Sequence, residues 1–126
     1  MNKILIPVSL GELYDKISIL EIKKMFINDK DKLKNIKNEL KQLEKIAANY
    51  PIEPLLYEQL KQTNIILWDI EDEIRKKENK DEFDETFINL ARSIYITNDK
   101  RSERKKEINI KYDSELVEEK SYEKYD

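Results

Sequence analysis

The chain has 126 residues, and its 24 basic and 27 acidic side chains interleave to give a net charge of −3. This balance excludes a general electrostatic attraction to nucleic acid or to an anionic membrane surface. The chain has no cysteine and no histidine. It therefore lacks disulfides, thiol chemistry, the commonest general base and the commonest transition-metal ligand. Any catalysis would have to use carboxylates, Lys, Arg, Tyr or hydroxyl groups.

The composition predicts an all-α fold: a single domain over residues 1–126, built as a bundle of about four helices with short extended segments at both ends. Charged residues make up 40% and hydrophobic residues 39%, with one Gly and three Pro, so turn-forming residues are scarce. No window approaches the ~18 apolar residues of a membrane span, and the N-terminus lacks a signal-peptide pattern. We therefore expect a cytoplasmic protein with no membrane partner.

The first helix is the most clearly marked element. Residues 3–8 are expected to be extended, and Ser9 and Glu12 have the spacing of a capping box. This places the helix between Leu10 and about Ile27. The helix is apolar on much of its circumference, as is typical of a helix with several packing partners. The neighbouring helices carry only narrow apolar stripes and would leave part of the apolar surface of the first helix uncovered. We therefore expect a homodimer to bury this remaining apolar surface.

The next two helices are predicted from the phase of the apolar residues. The phase slips at residues 28–31, which favours two helices over the alternative of one kinked helix spanning residues 10–48. The second helix, about 31–48, has one apolar stripe in a charged surface and is expected on the outside of the bundle. The third, about 54–79, begins at Pro54.

The fourth helix and the tail complete the chain. Asp81 or Asp84 is expected to cap this helix, whose apolar stripe continues to Tyr112. The segment 113–126 is too polar for a core helix. We expect it to form a loosely packed tail that lies along the surface or pairs with residues 3–6.

Three polar residues interrupt the inward stripe of the fourth helix. Asn98, Arg101 and Lys105 occupy inward positions between Ile94 and Ile108. They are solvated if the helix leaves the bundle here. If it does not, they line a polar pocket against the first helix, where Arg101 can bind a carboxylate or phosphate through two hydrogen bonds. A helix break at Thr97-Asn98-Asp99 is the third interpretation, and with Asp99 as N-cap its exposed amides would form a small anion site.

Two acidic pairs raise the alternative of a magnesium site. Asp69-x-x-Asp72 and Glu12-x-x-Asp15 would offer four carboxylates from two facing helices, a spacing that resembles the all-α nucleotide pyrophosphohydrolases. With 27 acidic residues in the chain, such spacings are common. The simpler interpretation of the third helix is an exposed salt-bridge ladder along residues 71–78.

The basic residues support two further alternatives. The run Lys100–Lys111 contains six basic and two acidic residues, but a nucleic-acid site would also need aromatic side chains for stacking, and only Tyr112 is near. We therefore expect no nucleic-acid partner. The second precedent is the all-α chorismate mutase, in which basic helical side chains clamp a dicarboxylate. The residues that would form such a clamp are Lys16, Arg75, Arg92 and Arg101.

Five segments, in this order, resemble a small bacterial family classed only as a domain of unknown function. They are Ile6–Lys23, Leu67–Arg75, Leu90–Tyr95, Asn98–Arg101 and Leu116–Tyr122. The resemblance covers nearly the whole chain and implies no activity. It indicates where a site would lie, because the charged and aromatic candidates fall within these segments.

The main functional hypothesis is a non-catalytic binding or interaction module with a polar pocket for a small anionic ligand between helices 1, 3 and 4. The alternative is an enzyme that acts on a phosphorylated or carboxylated metabolite, in a magnesium-dependent or a mutase-like form. No cofactor is expected except magnesium under that alternative, and no catalytic residue is assigned. The predicted ligand-binding residues are Glu12, Asp15, Lys16, Trp68, Asp69, Asp72, Arg75, Asn98 and Arg101.

Overall fold

A computed structural model describes residues 2–125, which form four α-helices. In chain order they are α1 (Leu10–Phe26), α2 (Lys30–Ala47), α3 (Pro54–Asn79) and α4 (Glu85–Lys111). These described residues contain no β-strand, so the predicted all-α bundle of four helices is confirmed. The single kinked helix over residues 10–48 does not form, because Ile27 has an extended backbone (φ −93°, ψ 130°) after α1.

Three of the four helices begin at a side-chain cap. The Ser9 hydroxyl accepts a hydrogen bond from the Glu12 amide at 3.0 Å, which starts α1 at Leu10 as predicted. Asp29 caps α2 and Asp84 caps α4 in the same way, each through its carboxylate. The prediction of Asp81 or Asp84 is thereby resolved in favour of Asp84.

The apolar core lies between α1 and α2. It is formed by buried side chains from both helices: Leu13, Ile17, Leu20, Ile36, Leu40 and Ala47. Among the described helices α2 packs only against α1, and most of its surface is exposed. This is the outer position that its single apolar stripe predicts.

The helices α3 and α4 form a long antiparallel hairpin. Near its base the Lys111 ammonium lies 2.6 Å from the Glu53 carboxylate, and near its tip the Lys77 ammonium lies 2.9 Å from Asp84. These two helices, with 26 and 27 residues, each extend about 40 Å, whereas α1 extends about 25 Å. We call residues 69–97 the distal hairpin, and no residue in it is fully buried.

The helix α1 is central, because it packs against each of the other three helices. Its apolar side chains Leu13, Ile17, Leu20 and Ile22 are buried within one chain. Most of the surplus apolar surface that led us to expect a homodimer is therefore covered by α2, α3 and α4, whereas Met25 and Phe26 at the end of α1 remain exposed.

The described segments before α1 and after α4 are non-helical and differ in their contacts. Residues 3–6 lie exposed and do not pair with the tail as strands in the described part of the chain. The tail, which we define as residues 113–125, lies along α4, and its Lys120 ammonium is 2.7 Å from Asp99. None of the four helices described here is both long and apolar enough to cross a membrane.

Candidate functional site

The face of α1 opposite to α2 carries a buried ion-pair cluster. The Asp15 carboxylate is fully buried and accepts two hydrogen bonds from Arg101 of α4, from Nε at 3.0 Å and from Nη2 at 2.5 Å. Asn64 of α3 donates from Nδ2 to Asp15 at 2.9 Å and to the Ser18 hydroxyl at 2.8 Å. One carboxylate therefore connects α1 to both helices of the hairpin.

The chemistry of this cluster favours a fixed structural link. A buried carboxylate without partners would carry a large desolvation cost, and the guanidinium and amide donors offset that cost here. The hydrogen bonds to Asp15 raise the pKa of Arg101, whereas burial acts in the opposite direction. The guanidinium therefore remains charged, and two of its nitrogens are committed to Asp15.

A second ion pair lies one turn further along α4. The Lys105 ammonium is 2.6 Å from the Glu12 carboxylate and 3.0 Å from Glu118 of the tail. Burial lowers the pKa of Lys105, but the hydrogen bonds to these two carboxylates and the negative charges of Asp15 and Glu12 together raise it, so its pKa lies above the ordinary value. The Glu12 carboxylate thus pairs with α4, and the Ser9 hydroxyl also donates to Glu118 at 3.0 Å.

The two helices come close enough to exclude any side chain at Gly11. A Cβ atom at this position would lie 2.5 Å from the backbone oxygen of Lys105. The Gly11 amide donates to Asn109 Oδ1 at 2.7 Å, and the Leu10 amide donates to the Ser114 hydroxyl at 3.1 Å. Side chains of the same chain therefore satisfy the free amides at the start of α1.

A third polar group lies further along α1. Glu21 accepts a hydrogen bond from the Tyr57 hydroxyl, and the Lys61 ammonium lies 3.1 Å from its other oxygen. Burial raises the pKa of Tyr57, and the hydrogen bond to Glu21 raises it further. This phenol is therefore held in its neutral form.

A cavity lies between α4 and the tail, and we call it the α4–tail groove. Its volume is about 780 Å³. It brings together basic side chains, acidic side chains and tyrosine rings from two parts of the chain that are distant in sequence. The α4 residues are Ile94, Tyr95, Asn98, Asp99, Arg101, Ser102 and Lys105, and the tail residues are Lys120, Tyr122, Glu123, Lys124 and Tyr125.

Several of the predicted site residues occupy these polar clusters. Asp15 pairs with Arg101, Glu12 pairs with Lys105, and Asn98 and Arg101 line the α4–tail groove. The helix α4 is continuous through this stretch, so the break at Asn98 that one interpretation predicted does not occur. Its three polar residues instead face α1 and the tail. A ligand-binding role for these residues remains a prediction.

Two other predicted site residues, Trp68 and Arg75, share a second depression with Arg101. The ring of Trp68 stacks on Phe26 with centroids 5.7 Å apart. Arg75 is exposed and pairs with Glu71 at 3.3 Å, as the salt-bridge ladder predicts. Both side chains line a smaller, mostly apolar depression of about 280 Å³ that also includes Arg101.

The four carboxylates of the magnesium hypothesis do not come together. Asp69 and Asp72 are exposed, and Asp72 pairs with Lys76 at 3.3 Å. Lys16 of α1 is also exposed. Within residues 2–125 no group of three or more carboxylates is placed to hold a metal ion, so the magnesium alternative gains no support.

Sequence reasoning did not identify Gly11, Ser18, Asn64 and Asn109 as parts of this site. Gly11 offered a signal, because it is the only glycine of the chain and stands inside a helix, where glycine costs up to ~1 kcal/mol relative to alanine. Such a glycine indicates a close helix crossing. The other three are ordinary polar residues whose burial depends on the crossing of α1 over the hairpin.

The chain was compared with protein families, with curated proteins and with solved structures. Neither the curated proteins nor the solved structures include a significant match. The model of a family of unknown function (DUF6165) matches residues 4–125, which is nearly the whole chain. The resemblance seen in the sequence segments is thereby confirmed: this protein belongs to that family of unknown function, DUF6165.

Proposed function

We propose that this protein is a non-catalytic binding module that holds a small anionic ligand in the α4–tail groove. The observation that carries the proposal is the lining of the groove, where four basic side chains and three tyrosine rings face a volume of about 780 Å³. Ligand sites of small molecules have volumes of roughly 300–1,000 Å³ and few polar anchors. The sequence hypothesis placed the pocket between helices 1, 3 and 4, so the proposed location is different.

The exposed cations of the groove are the proposed anion contacts. Lys120 pairs with Asp99 at 2.7 Å, and both side chains are partly exposed to solvent. Exposed pairs of this kind contribute little to stability, so a phosphate or carboxylate can replace Asp99 at little cost. Lys124 makes no ion pair with any residue that the structure describes. Arg101 stays with the buried Asp15 carboxylate and presents its remaining donors.

The tyrosines suggest that the ligand also carries a planar ring. The Tyr122 side chain is 78% exposed, and the Lys120 ammonium lies 5.1 Å from its ring centroid. The rings of Tyr95 and Tyr125 meet edge to face at 5.2 Å. Exposed ring faces beside cations suit a planar group that bears an anion. A nucleoside monophosphate has this chemistry.

The test is a thermal-shift titration with adenosine monophosphate (AMP) as the probe. Binding to the folded state raises the free energy of unfolding by RT ln(1 + [L]/Kd), so Tm rises with the ligand concentration. We expect AMP to stabilise the protein in a concentration-dependent way, and adenosine or inorganic phosphate alone to stabilise it less. Lys124→Ala and Tyr122→Ala should each weaken the AMP response at least fivefold, since both side chains lie in the groove and carry no buried contact.

Matched controls separate the groove from general charge and ring effects. Lys37→Ala and Tyr50→Ala remove an exposed cation and an exposed ring outside the groove, and both should keep the full AMP response. If nucleotides, sugar phosphates and carboxylates all fail to shift Tm, the proposal is wrong. It is also wrong if the groove variants respond as the controls do. A shift that requires Mg²⁺, with turnover of the probe, would favour the enzymatic alternative.

A further inference from the structure

The distal hairpin, residues 69–97, lacks the packing that stabilises the rest of the chain. It lies beyond the Trp68 ring that stacks on Phe26, and none of its residues is fully buried. Its apolar side chains at helical spacing, such as Phe87, Leu90 and Ile94, are only partly buried. Two helices cannot enclose an apolar core by themselves, and helical proteins normally complete such a core with a further layer.

Large apolar side chains also remain on the outer surface of the distal hairpin. Ile88 is 54% exposed, Ile96 is 46% exposed, and Phe83 is 56% exposed. Single exposed apolar residues are normal, but a row of them along one hairpin indicates a surface with a partner.

The area that the whole chain exposes is large enough for a stable dimer. The chain exposes 9468 Å², whereas a compact monomer of 15.2 kDa exposes about 7,100 Å². The excess is about 2,300 Å², and a standard interface needs about 800 Å² from each partner. The extended segments at both ends account for part of the excess. Residues 69–97 contribute to the remainder, because none of them is fully buried.

We propose that the distal hairpin is a homodimerisation surface, on which the hairpin of a second copy completes an intermolecular four-helix bundle. The charges favour an antiparallel pairing. Residues 69–85, towards the tip, contain nine acidic and four basic side chains. Parallel hairpins would place two such acidic tips together, whereas antiparallel hairpins keep them apart.

Sedimentation velocity of the full chain between 1 and 100 μM tests the proposal. We expect a species of about 30 kDa, twice the 15.2 kDa chain. Ile88→Lys and Ile96→Lys should each raise the dimer Kd at least tenfold, because a charge would be buried without a partner. Ile46→Lys is the matched control: Ile46 lies on α2, which packs only against α1 among the described helices, and is 47% exposed. Circular dichroism checks that all variants are folded.

Two results would overturn the dimer. One is a wild-type chain that stays at 15 kDa up to 100 μM, and the other is a dimer that both hairpin variants retain. The chain has no cysteine, so cross-linking can test the orientation. A mixture of Glu82→Cys and Lys100→Cys proteins should cross-link through a short bismaleimide, and Glu82→Cys alone should not. Cross-linking of Glu82→Cys with itself would contradict the antiparallel arrangement.

Discussion

The helix α1 has two faces that are buried in opposite ways. Towards α2 it buries aliphatic side chains such as Leu13, Ile17 and Leu20. Towards the hairpin it buries Asp15, Ser18 and the backbone of Gly11, which are held by hydrogen bonds from α3 and α4. The first face is stabilised by close packing of apolar side chains, whereas the second is stabilised only if each hydrogen-bonding partner is correctly positioned.

This difference predicts different responses to mutation. Loss of a methyl group on the apolar face leaves a small cavity, and its cost grows with the volume removed. Loss of one polar group on the other face leaves buried partners unsatisfied, and its cost depends on what remains unpaired. The polar face should therefore tolerate paired replacement better than single replacement, and the apolar face should not show this distinction.

The largest expected effect is that of Asp15→Ala. This change leaves the buried Arg101 guanidinium without its carboxylate and the Asn64 amide with Ser18 as its remaining acceptor, so we expect the free energy of unfolding to fall by about 3–5 kcal/mol. Urea unfolding followed by circular dichroism measures it. Ile17→Val on the apolar face should cost only about 1 kcal/mol, and the exposed Asp69→Ala should change stability by less than ~0.5 kcal/mol.

The double variant Asp15→Leu, Arg101→Met separates loss of a pair from loss of one partner. Because it removes both charges and restores apolar volume, it should recover most of the stability lost in Asp15→Ala. A double variant as unstable as the single one would show that the cluster stabilises the fold by more than charge neutralisation. An Asp15→Ala cost below that of Ile17→Val would contradict the comparison of the two faces.

The same two faces explain how much could be predicted from sequence. The α1–α2 interface follows from apolar periodicity, and the start of α1 at Leu10 follows from the Ser9 cap, because both signals are local. Asp15 and Arg101 were recognised as charges at inward positions, since such charges need partners. Asn64 and Asn109 could not be recognised, because the partners of a helical Asn are set by how the helices cross and leave no signal in the local sequence.

The Gly11→Ala variant tests the close approach of α1 and α4. The added methyl group would lie 2.5 Å from the backbone oxygen of Lys105, so the helices must separate. We expect a loss of about 2 kcal/mol, despite a gain in helix propensity of up to ~1 kcal/mol. Thermal unfolding measures the loss as a lower Tm. An unchanged or higher Tm would mean that the propensity gain dominates and the crossing is loose.

The Tyr57→Phe variant tests the hydrogen bond at the edge of the apolar core. Removal of the hydroxyl leaves Glu21 with Lys61 alone, and we expect a loss of about 1–2 kcal/mol at pH 7. The folded pKa of Tyr57 is raised above its unfolded value. The contribution of the Tyr57 hydroxyl to the free energy of unfolding is therefore complete below about pH 10, the ordinary tyrosine pKa. This contribution is lost as the pH rises further.

Urea unfolding of the wild type and of Tyr57→Phe at pH 7, 9 and 11 gives this pH dependence as a difference between the two proteins. The difference should be constant from pH 7 to 9 and smaller at pH 11. Tyr50→Phe, which changes an exposed tyrosine, should match the wild type at each pH. A constant advantage of the wild type through pH 11 would contradict the raised pKa.

The smallest effect is expected at the caps, where the two faces can be compared through the same chemistry. Asp29 caps α2 with one exposed hydrogen bond to the Lys32 amide, so Asp29→Ala should cost about 0.5–1 kcal/mol. Ser9 caps α1 and also donates to Glu118 while it is buried, so Ser9→Ala should cost about 1–2 kcal/mol. Hydrogen exchange would show the first loss only at the start of α2, whereas the second should extend to the tail. If both substitutions reduce stability equally and affect hydrogen exchange only near the cap itself, then Glu118 does not stabilise the α1 cap. The dependence of the polar face on specific partners would then start at Gly11 and would not include Ser9.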